Sequence, residues 1–455
     1  MGLPILSNEE NSAARRYLIS SAVWMVVGTL WGMASAIHLT APDLFANIPW
    51  LSFGRIRPAH TNVVMLGFVT SGLIGAGLYF VPLLLKVRLQ GERLANLAMW
   101  LWNAAILGGV ITLPAGMTQS REYAELIWEL DLLVVASVAL LLICFVLTVL
   151  ARQENTLYVS VWYVGGAIIW TALLYPLGNV MWRPDTGSLA GVIDAIWHWF
   201  YGHNVLGLLM TPLAIAVLYY MIPRLARAPL YSHTLSLVGF WSLLAFYTHI
   251  GTHHLLQAPV PTWLKTISIV DSVAMVVPVL TVLINLWLTM RGRLSVLRES
   301  VPGKFVFAGS VWYLLVCLQG PLHSLPSVQR YVHFTNWVVG HAHIAVLGFT
   351  GMIALGGLWY VLPKVSGRKL YSDVLVDVQY WLVLVGLSGF FLALSIAGLV
   401  QGGAWLEGEG VYRTLPMIFP YMAARAMFGV LIVSAAFIGL YNVVMTLARG
   451  ERVAA

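Results

Sequence analysis

The chain has 455 residues, 60% hydrophobic and only 9% charged, with a formal net charge of +7 and twelve histidines. A water-soluble surface needs about a quarter charged residues, so the composition excludes a soluble globular protein. The positive balance then reports membrane topology, not nucleic-acid binding. Cys144 and Cys317 lie in separate apolar runs, with neither disulfide-framework nor metal-ligand spacing.

Apolar stretches of about 20 residues are long enough to cross a bilayer as helices. Twelve are expected: residues 17–38, 58–84, 93–114, 126–150, 156–178, 190–221, 232–257, 264–290, 305–324, 331–362, 373–400 and 416–447. Polar Ser7-Asn-Glu-Glu-Asn11 precedes the first span without a small-residue cleavage site, so that span is expected to stay as an anchor. With a cytoplasmic N-terminus, most Lys and Arg fall on the inner side, among them Arg15, Arg16, Lys86, Arg88, Arg224, Arg227, Lys364, Arg368 and Lys369. The positive-inside rule then puts both termini in the cytoplasm. The expected fold is all-α, a polytopic membrane protein of twelve transmembrane helices forming one domain over residues 1–455, without internal repeats.

Ionisable side chains inside spans are costly and raise a functional hypothesis. His60 follows Gly54-Arg-Ile-Arg57-Pro58 near the outer start of the second span, where Arg55 and Arg57 suit an anionic partner. The run Arg121-Glu122-Tyr-Ala-Glu125-Leu-Ile-Trp-Glu129-Leu-Asp131 gathers four carboxylates at the outer end of the fourth. Its readings are opposition to a helix dipole, a hard-cation site or proton entry.

The sixth span carries His198, read as interfacial beside its tryptophans, and the deeper His203. The seventh holds Tyr247-Thr-His249-Ile-Gly-Thr-His253-His254. On an α-helix, adjacent His253 and His254 lie about 100° apart and can cap one metal with a third nitrogen from a neighbouring helix, for which His203 is the obvious donor. Tyr247, seven residues before His254, returns to nearly the same face about 10 Å away along the axis, while His249 reads as structural. In the tenth span, Asn336-Trp-Val-Val-Gly340-His341-Ala-His343 puts two imidazoles about 200° apart on one helix, about 15 Å below its outer end. One helix can thus serve two metal centres.

Together, Arg57-Pro-Ala-His60, Glu122-Tyr-Ala-Glu125, Tyr201-Gly-His203-Asn204, Gly251-Thr-His253-His254 and Gly340-His-Ala-His343 resemble the catalytic subunit of the haem-copper oxidase superfamily, most closely its C-type, cytochrome cbb₃ branch. The resemblance covers nearly the whole chain. It implies His60 and His343 as axial ligands of a low-spin haem b, and His341 as proximal ligand of a high-spin haem, b-type by the same analogy. It implies copper B on His203, His253 and His254, and Tyr247 covalently linked to the copper-ligating histidine of the sixth helix. Arg57 would face a haem propionate and Glu122 a calcium ion.

The implied reaction is reduction of dioxygen to water, coupled to proton uptake in a bacterial inner membrane. Protons are expected to travel along a subset of Tyr219, Tyr220, Tyr231, Ser232, Ser236 and Ser242. No Cys-x-x-Cys-His attachment site is present, so electrons are expected from c-type cytochrome subunits or another donor subunit, quinol included.

The competing family, nitric oxide reductase, keeps the six histidines but places a non-haem iron with glutamates where this chain has Gly207 and Met275. Hard iron prefers oxygen ligands and copper accepts imidazoles alone, so copper is favoured. A bis-histidine electron carrier would leave His203, His253, His254 and Tyr247 unexplained. The chain departs from the C-type pattern at Gln319, where a glutamate is usual, at Asn336, usually acidic, at Gly239, and in Leu325-Pro-Ser-Val-Gln-Arg330, which is closer to the reductases.

Overall fold

Inside a bilayer every backbone amide and carbonyl must find its partner within the protein, and an apolar chain satisfies this by folding into helices. The computed structural model describes residues 4–180 and 189–453, apart from the side chains of residues 296–298. Among the described residues there is no β-strand, only an isolated bridge between Arg368 and Arg452. Eleven helices among the described residues are long and apolar enough to span: α1 Ser12–His38, α2 Phe53–Leu85, α3 Glu92–Thr112, α4 Trp128–Leu150, α5 Val159–Asn179, α6 Gly191–Ala226, α8 Thr262–Thr289, α9 Val301–Ser324, α10 Asn336–Ser366, α11 Asp373–Leu406 and α12 Val411–Arg449. The shorter α7, His233–Tyr247, completes the twelve.

The seventh span is not one α-helix to residue 257. It stops at Tyr247, and residues Ile250–Leu255 continue as a 3₁₀ turn. A Cβ at Gly251 would lie 2.3 Å from the Trp199 carbonyl oxygen, so this turn runs hard against α6. The tenth span also begins later than expected. Pro326–Val332 is a separate short helix, and the Thr335 hydroxyl caps α10 by accepting from the Trp337 amide at 3.2 Å. His341 and His343 therefore lie only about 8 and 10 Å along α10 from its first residue.

Helices α2, α6 and α10 form the interior: 78%, 94% and 78% of their apolar windows are buried, and the remaining long helices are more exposed. These three carry His60, His203 and the His341/His343 pair. Each contains a π-helical segment starting one to three residues beyond its last histidine: Val63–Thr70 after His60, Val205–Met210 after His203 and Ile344–Gly351 after His343. The wider turn frees carbonyls from the regular ladder, and side chains collect them. Ser21 donates to Phe68 O at 2.7 Å and Trp102 to Leu66 O at 3.0 Å. Thr70 reaches back five residues to Met65 O at 2.8 Å.

Contrary to the sequence expectation, the three helices are repeats. After its π segment each ends in an aromatic pair and proline, Tyr79-Phe-Val-Pro82, Tyr219-Tyr-Met-Ile-Pro223 and Trp359-Tyr-Val-Leu-Pro363, followed by a left-handed residue, Lys86, Arg227 or Gly367. The helices after the second and third start alike, at Ser232 and Ser372, whose hydroxyls accept from Leu235 and Leu375 amides at 3.2 Å. The period was masked in the sequence because the matching positions share size and polarity, not identity.

Candidate metal and haem centres

The histidines converge as expected from two sides of α10. His343 faces His60 of α2, their rings nearly parallel at 19° with centroids 6.1 Å apart. Two imidazoles on one metal, with metal–nitrogen bonds of about 2 Å, have centroids separated by about that distance. Both Nδ1 atoms are engaged: His60 donates to Gly28 O at 2.8 Å and His343 to Val339 O at 2.7 Å. Each ring thus keeps Nε2 unprotonated and available, the usual device for orienting a ligand histidine.

On the opposite face, His341 Nδ1 donates to Gln319 Oε1 at 3.1 Å, and the ring stacks on Trp337 at 5.7 Å between centroids. Beyond it lie His203, His253 and His254, with one nitrogen of each within 4.8 Å of the others. His253 Nδ1 donates to Ser272 Oγ at 2.8 Å, because that hydroxyl spends its own proton on Ser268 O. His254 stacks on Trp199 at 3.8 Å, and its Nε2 meets His203 Nδ1 at 3.0 Å. His203 Nε2 is buried without a hydrogen-bond partner. Three close imidazoles with no carboxylate among them fit a soft or borderline metal better than iron.

The 3₁₀ geometry changes how the adjacent histidines share the site. At about 120° per residue, His253 and His254 diverge more than on an α-helix, and His203 lies 4.6 and 5.2 Å from them between ring centroids. Tyr247 joins from the last turn of α7, its ring 5.1 Å from His203 at 27°. Gly207 makes this possible: a Cβ there would lie 1.5 Å from Tyr247 Cε1 and 2.0 Å from Cζ. Any side chain at 207 would occupy the phenol's own volume.

At the outer end, Arg57 pairs with Glu122. The expected propionate and calcium contacts therefore meet each other. Glu125 is buried and accepts from Asn62 Nδ2 at 2.8 Å. Burial pushes its carboxyl up to about 7, against the Asn62 hydrogen bond and nearby Arg57. Asp131 accepts from Tyr175 at 2.7 Å and Gln119 at 2.6 Å. These carboxylates form a buried polar network, so helix-dipole opposition alone does not account for the cluster.

Several expectations need correction. His198 is buried, its ring edge-on to Trp199 at 5.2 Å between centroids. Tyr231 is 60% exposed, and the Ser242 hydroxyl is spent on its own helix at Val238 O. Asn336 has a structural use, its amide and side chain both donating to Gln401 Oε1 at 2.8 Å. Sequence reasoning missed Ser272, Tyr163, Tyr313 and Arg425. Only Arg425 carried a signal, as a charge within an apolar run.

The chain matches the family "Cytochrome C and Quinol oxidase polypeptide I" over residues 12–431. The chain belongs to this family. It is 33% identical to the Cbb3-type cytochrome c oxidase subunit CcoN1 of Stutzerimonas stutzeri, over 86% of this chain and 84% of the relative. It is 33% identical to a cytochrome c oxidase subunit 1 homolog of Agrobacterium tumefaciens, over 96% and 83%, and 32% identical to cytochrome c oxidase subunit 1 of Rhodobacter capsulatus, over 100% and 89%. A solved haem-copper terminal oxidase dimer shares the fold, with TM-score 0.82 and 18% identity over 99% of this chain and 86% of that one. The subunit is thus an oxidoreductase of the terminal-oxidase class and a multi-pass membrane protein, and nothing in these relationships favours nitric oxide reductase.

Because Gly207 and Tyr247 share one volume, Gly207→Ala is expected to displace the phenol. Overpacking of this kind costs about 1–3 kcal/mol. Thermal unfolding of the purified complex should shift down, and turnover should fall at least tenfold. Turnover and thermal stability equal to the parent's would count against the assigned position of Tyr247.

Proposed function

We propose that this chain reduces dioxygen to water with a low-spin haem b on His60 and His343, a high-spin haem b on His341, and copper B on His203, His253 and His254. The carrying observation is the carboxylate-free triad of imidazoles beside Tyr247, in the volume that Gly207 leaves open. When bound, the two haems and copper supply electron relay and dioxygen reduction. His60 and His343 would together hold one haem, whose chemistry would then be electron relay alone. His341 would hold the second haem by itself, and that haem would supply dioxygen binding and reduction together with the metal of the triad.

Tyr247 holds a transferable proton on its hydroxyl beside His203. His203 Nε2, the nitrogen without a hydrogen bond, is the atom free for the family's covalent histidine–tyrosine link. Protons reach Tyr247 through a buried row of phenols. Ser232, at the start of α7, is tied to Asn285 by two hydrogen bonds of 2.9 and 2.7 Å. Asn285 Nδ2 donates to the Tyr219 hydroxyl at 3.5 Å, and Tyr219 stacks on Tyr163 at 5.8 Å. Tyr313 lies within electrostatic reach of Tyr163, Tyr219 and Tyr247. The Tyr163 and Tyr313 hydroxyls have no partner among the described residues, which suits water linking them. Tyr220 and Ser236 are buried beside this row but add no hydrogen bond along it.

Both termini face the cytoplasm in this reading, and the ligand histidines occupy the outer half of the membrane. Partner subunits carry the electrons in, c-type cytochromes being favoured by the C-type relatives, with a quinol-linked subunit as the other donor class. Calcium at Glu122 would have to compete with Arg57.

Metal analysis of the purified complex is expected to give one copper and two haem irons per chain. Additional non-haem iron in place of copper would overturn the oxidase reading. Gln319→Glu replaces a neutral acceptor on His341 with an anionic one, strengthening the imidazole as a donor. A redox titration should show the high-spin haem falling by about 59 mV, a tenfold change in its one-electron equilibrium, with the low-spin haem unmoved. Tyr219→Phe and Tyr313→Phe are expected to slow turnover about tenfold at unchanged haem and copper content, whereas Ser242→Ala retains parental turnover. Full activity in both phenylalanine variants would remove the proposed path.

A further inference from the structure

Arg425 is the charge that the proposed function leaves without a use. It lies fourteen residues into α12, about 21 Å along the helix from its first residue, and is 8% exposed. Its Nε has no hydrogen-bond partner, and among the described residues no carboxylate comes within ion-pair distance of its guanidinium. A buried guanidinium with no counter-charge is expensive in a membrane interior. Neutral apolar side chains of similar volume were available, so a structural reason alone is insufficient.

Its surroundings indicate what it serves. The guanidinium carbon lies over the Phe390 ring at 5.4 Å, and Phe390 packs on His343 with centroids 4.5 Å apart. Arg425 is within electrostatic reach of both His60 and His343. Arg57 also acts on His60, but its charge is offset by Glu122. Among the described residues Arg425 is therefore the cation without a carboxylate partner that acts on both rings.

We propose that Arg425 sets the reduction potential of the haem held by His60 and His343, its fixed charge beside the Phe390–His343 stack favouring the reduced state. This rests on the bis-histidine haem reading above. Oxidation leaves one additional positive charge on the iron, and a cation in a low-dielectric surround opposes that charge more strongly than it would in water. Phe390 keeps the guanidinium apart from the ligand ring and, through its π face, holds it there. Arg425 is thus a tuning residue, touching neither the triad nor the expected position of dioxygen.

The test is an optical redox titration of the whole purified complex in the parent, Arg425→Gln, Arg425→Met and Arg425→Lys, with haem quantified in each. Loss of charge is expected to shift the low-spin haem's one-electron equilibrium at least tenfold toward the oxidised form, a fall of about 59 mV. Haem content and the low-spin spectrum should be retained, and Arg425→Lys should recover most of the parental potential. An unchanged potential in a neutral variant that retains its low-spin spectrum would overturn the assignment. If neither neutral variant assembles, a fall in Arg425→Lys equal to tenfold or more would overturn it, because charge is preserved there. Absence of a low-spin haem from the parent itself would instead sink the bis-histidine reading.

Discussion

The candidate centres depend on a single constraint: an imidazole that is to ligate a metal needs one ring nitrogen held and the other left free. Four histidines meet it in the same way, by giving the Nδ1 proton to an acceptor and turning Nε2 inward. The acceptors differ, a carbonyl on α1 for His60, a carbonyl one turn back for His343, Gln319 for His341 and Ser272 for His253. Each hydrogen bond fixes both ring orientation and tautomer, so helices that contribute no ligand still determine the centres. The π segments of α2, α6 and α10 lie just beyond this layer. In α2 the irregular carbonyls of Phe68 and Leu66 accept from Ser21 of α1 and Trp102 of α3, which couples this interior helix to its neighbours.

The second centre shows how one volume can decide between two chemistries. A glutamate at 207 would bring an oxygen ligand to the triad, and glycine brings none. The same absence lets the Tyr247 ring occupy the position of the missing Cβ. Carboxylate ligation and the buried phenol are therefore alternatives at this place. The structure links two sequence differences, forty residues apart, that would otherwise count as separate evidence. It also explains why the last turn of α7 and the 3₁₀ turn after it matter: both press against α6, and both bring site residues to it.

The spans and the ligand histidines were legible because membrane folding and metal binding leave strong local signals. Long apolar runs mark helices, and His253-His254 and His341-Ala-His343 are conspicuous inside them. The 200° rule placed His341 and His343 on separate faces correctly because the α10 backbone through residue 343 is regular. The spacing of about 100° per residue was inadequate for His253 and His254, which lie in a 3₁₀ turn packed against Trp199 at Gly251. The supporting shell was less legible. Ser272 is one serine among many, and Tyr163 and Tyr313 become a row only when α5 and α9 are brought beside α6. The threefold repeat was obscured because aromatic size and a terminal proline persist while residue identities change.

In the proposed reading, α10 separates two centres whose electronic surroundings are set from opposite sides. Toward the triad, His341 leans on the amide of Gln319, a weaker acceptor than the carboxylate usual in C-type chains, and consequently gives less electron density to its metal. Toward the relay, His343 lies behind Phe390 and the uncompensated charge of Arg425. A less basic proximal ligand and a nearby cation both favour the reduced state. They therefore act in the same direction on two different haems, raising both relative to a donor without closing the gap between them. A carboxylate at 319 alone would lower the acceptor and narrow that gap, whereas neutralising 425 alone would lower the relay and widen it. The pairing of these two side chains keeps electron transfer from relay to catalytic centre favourable while strengthening the pull on the external donor.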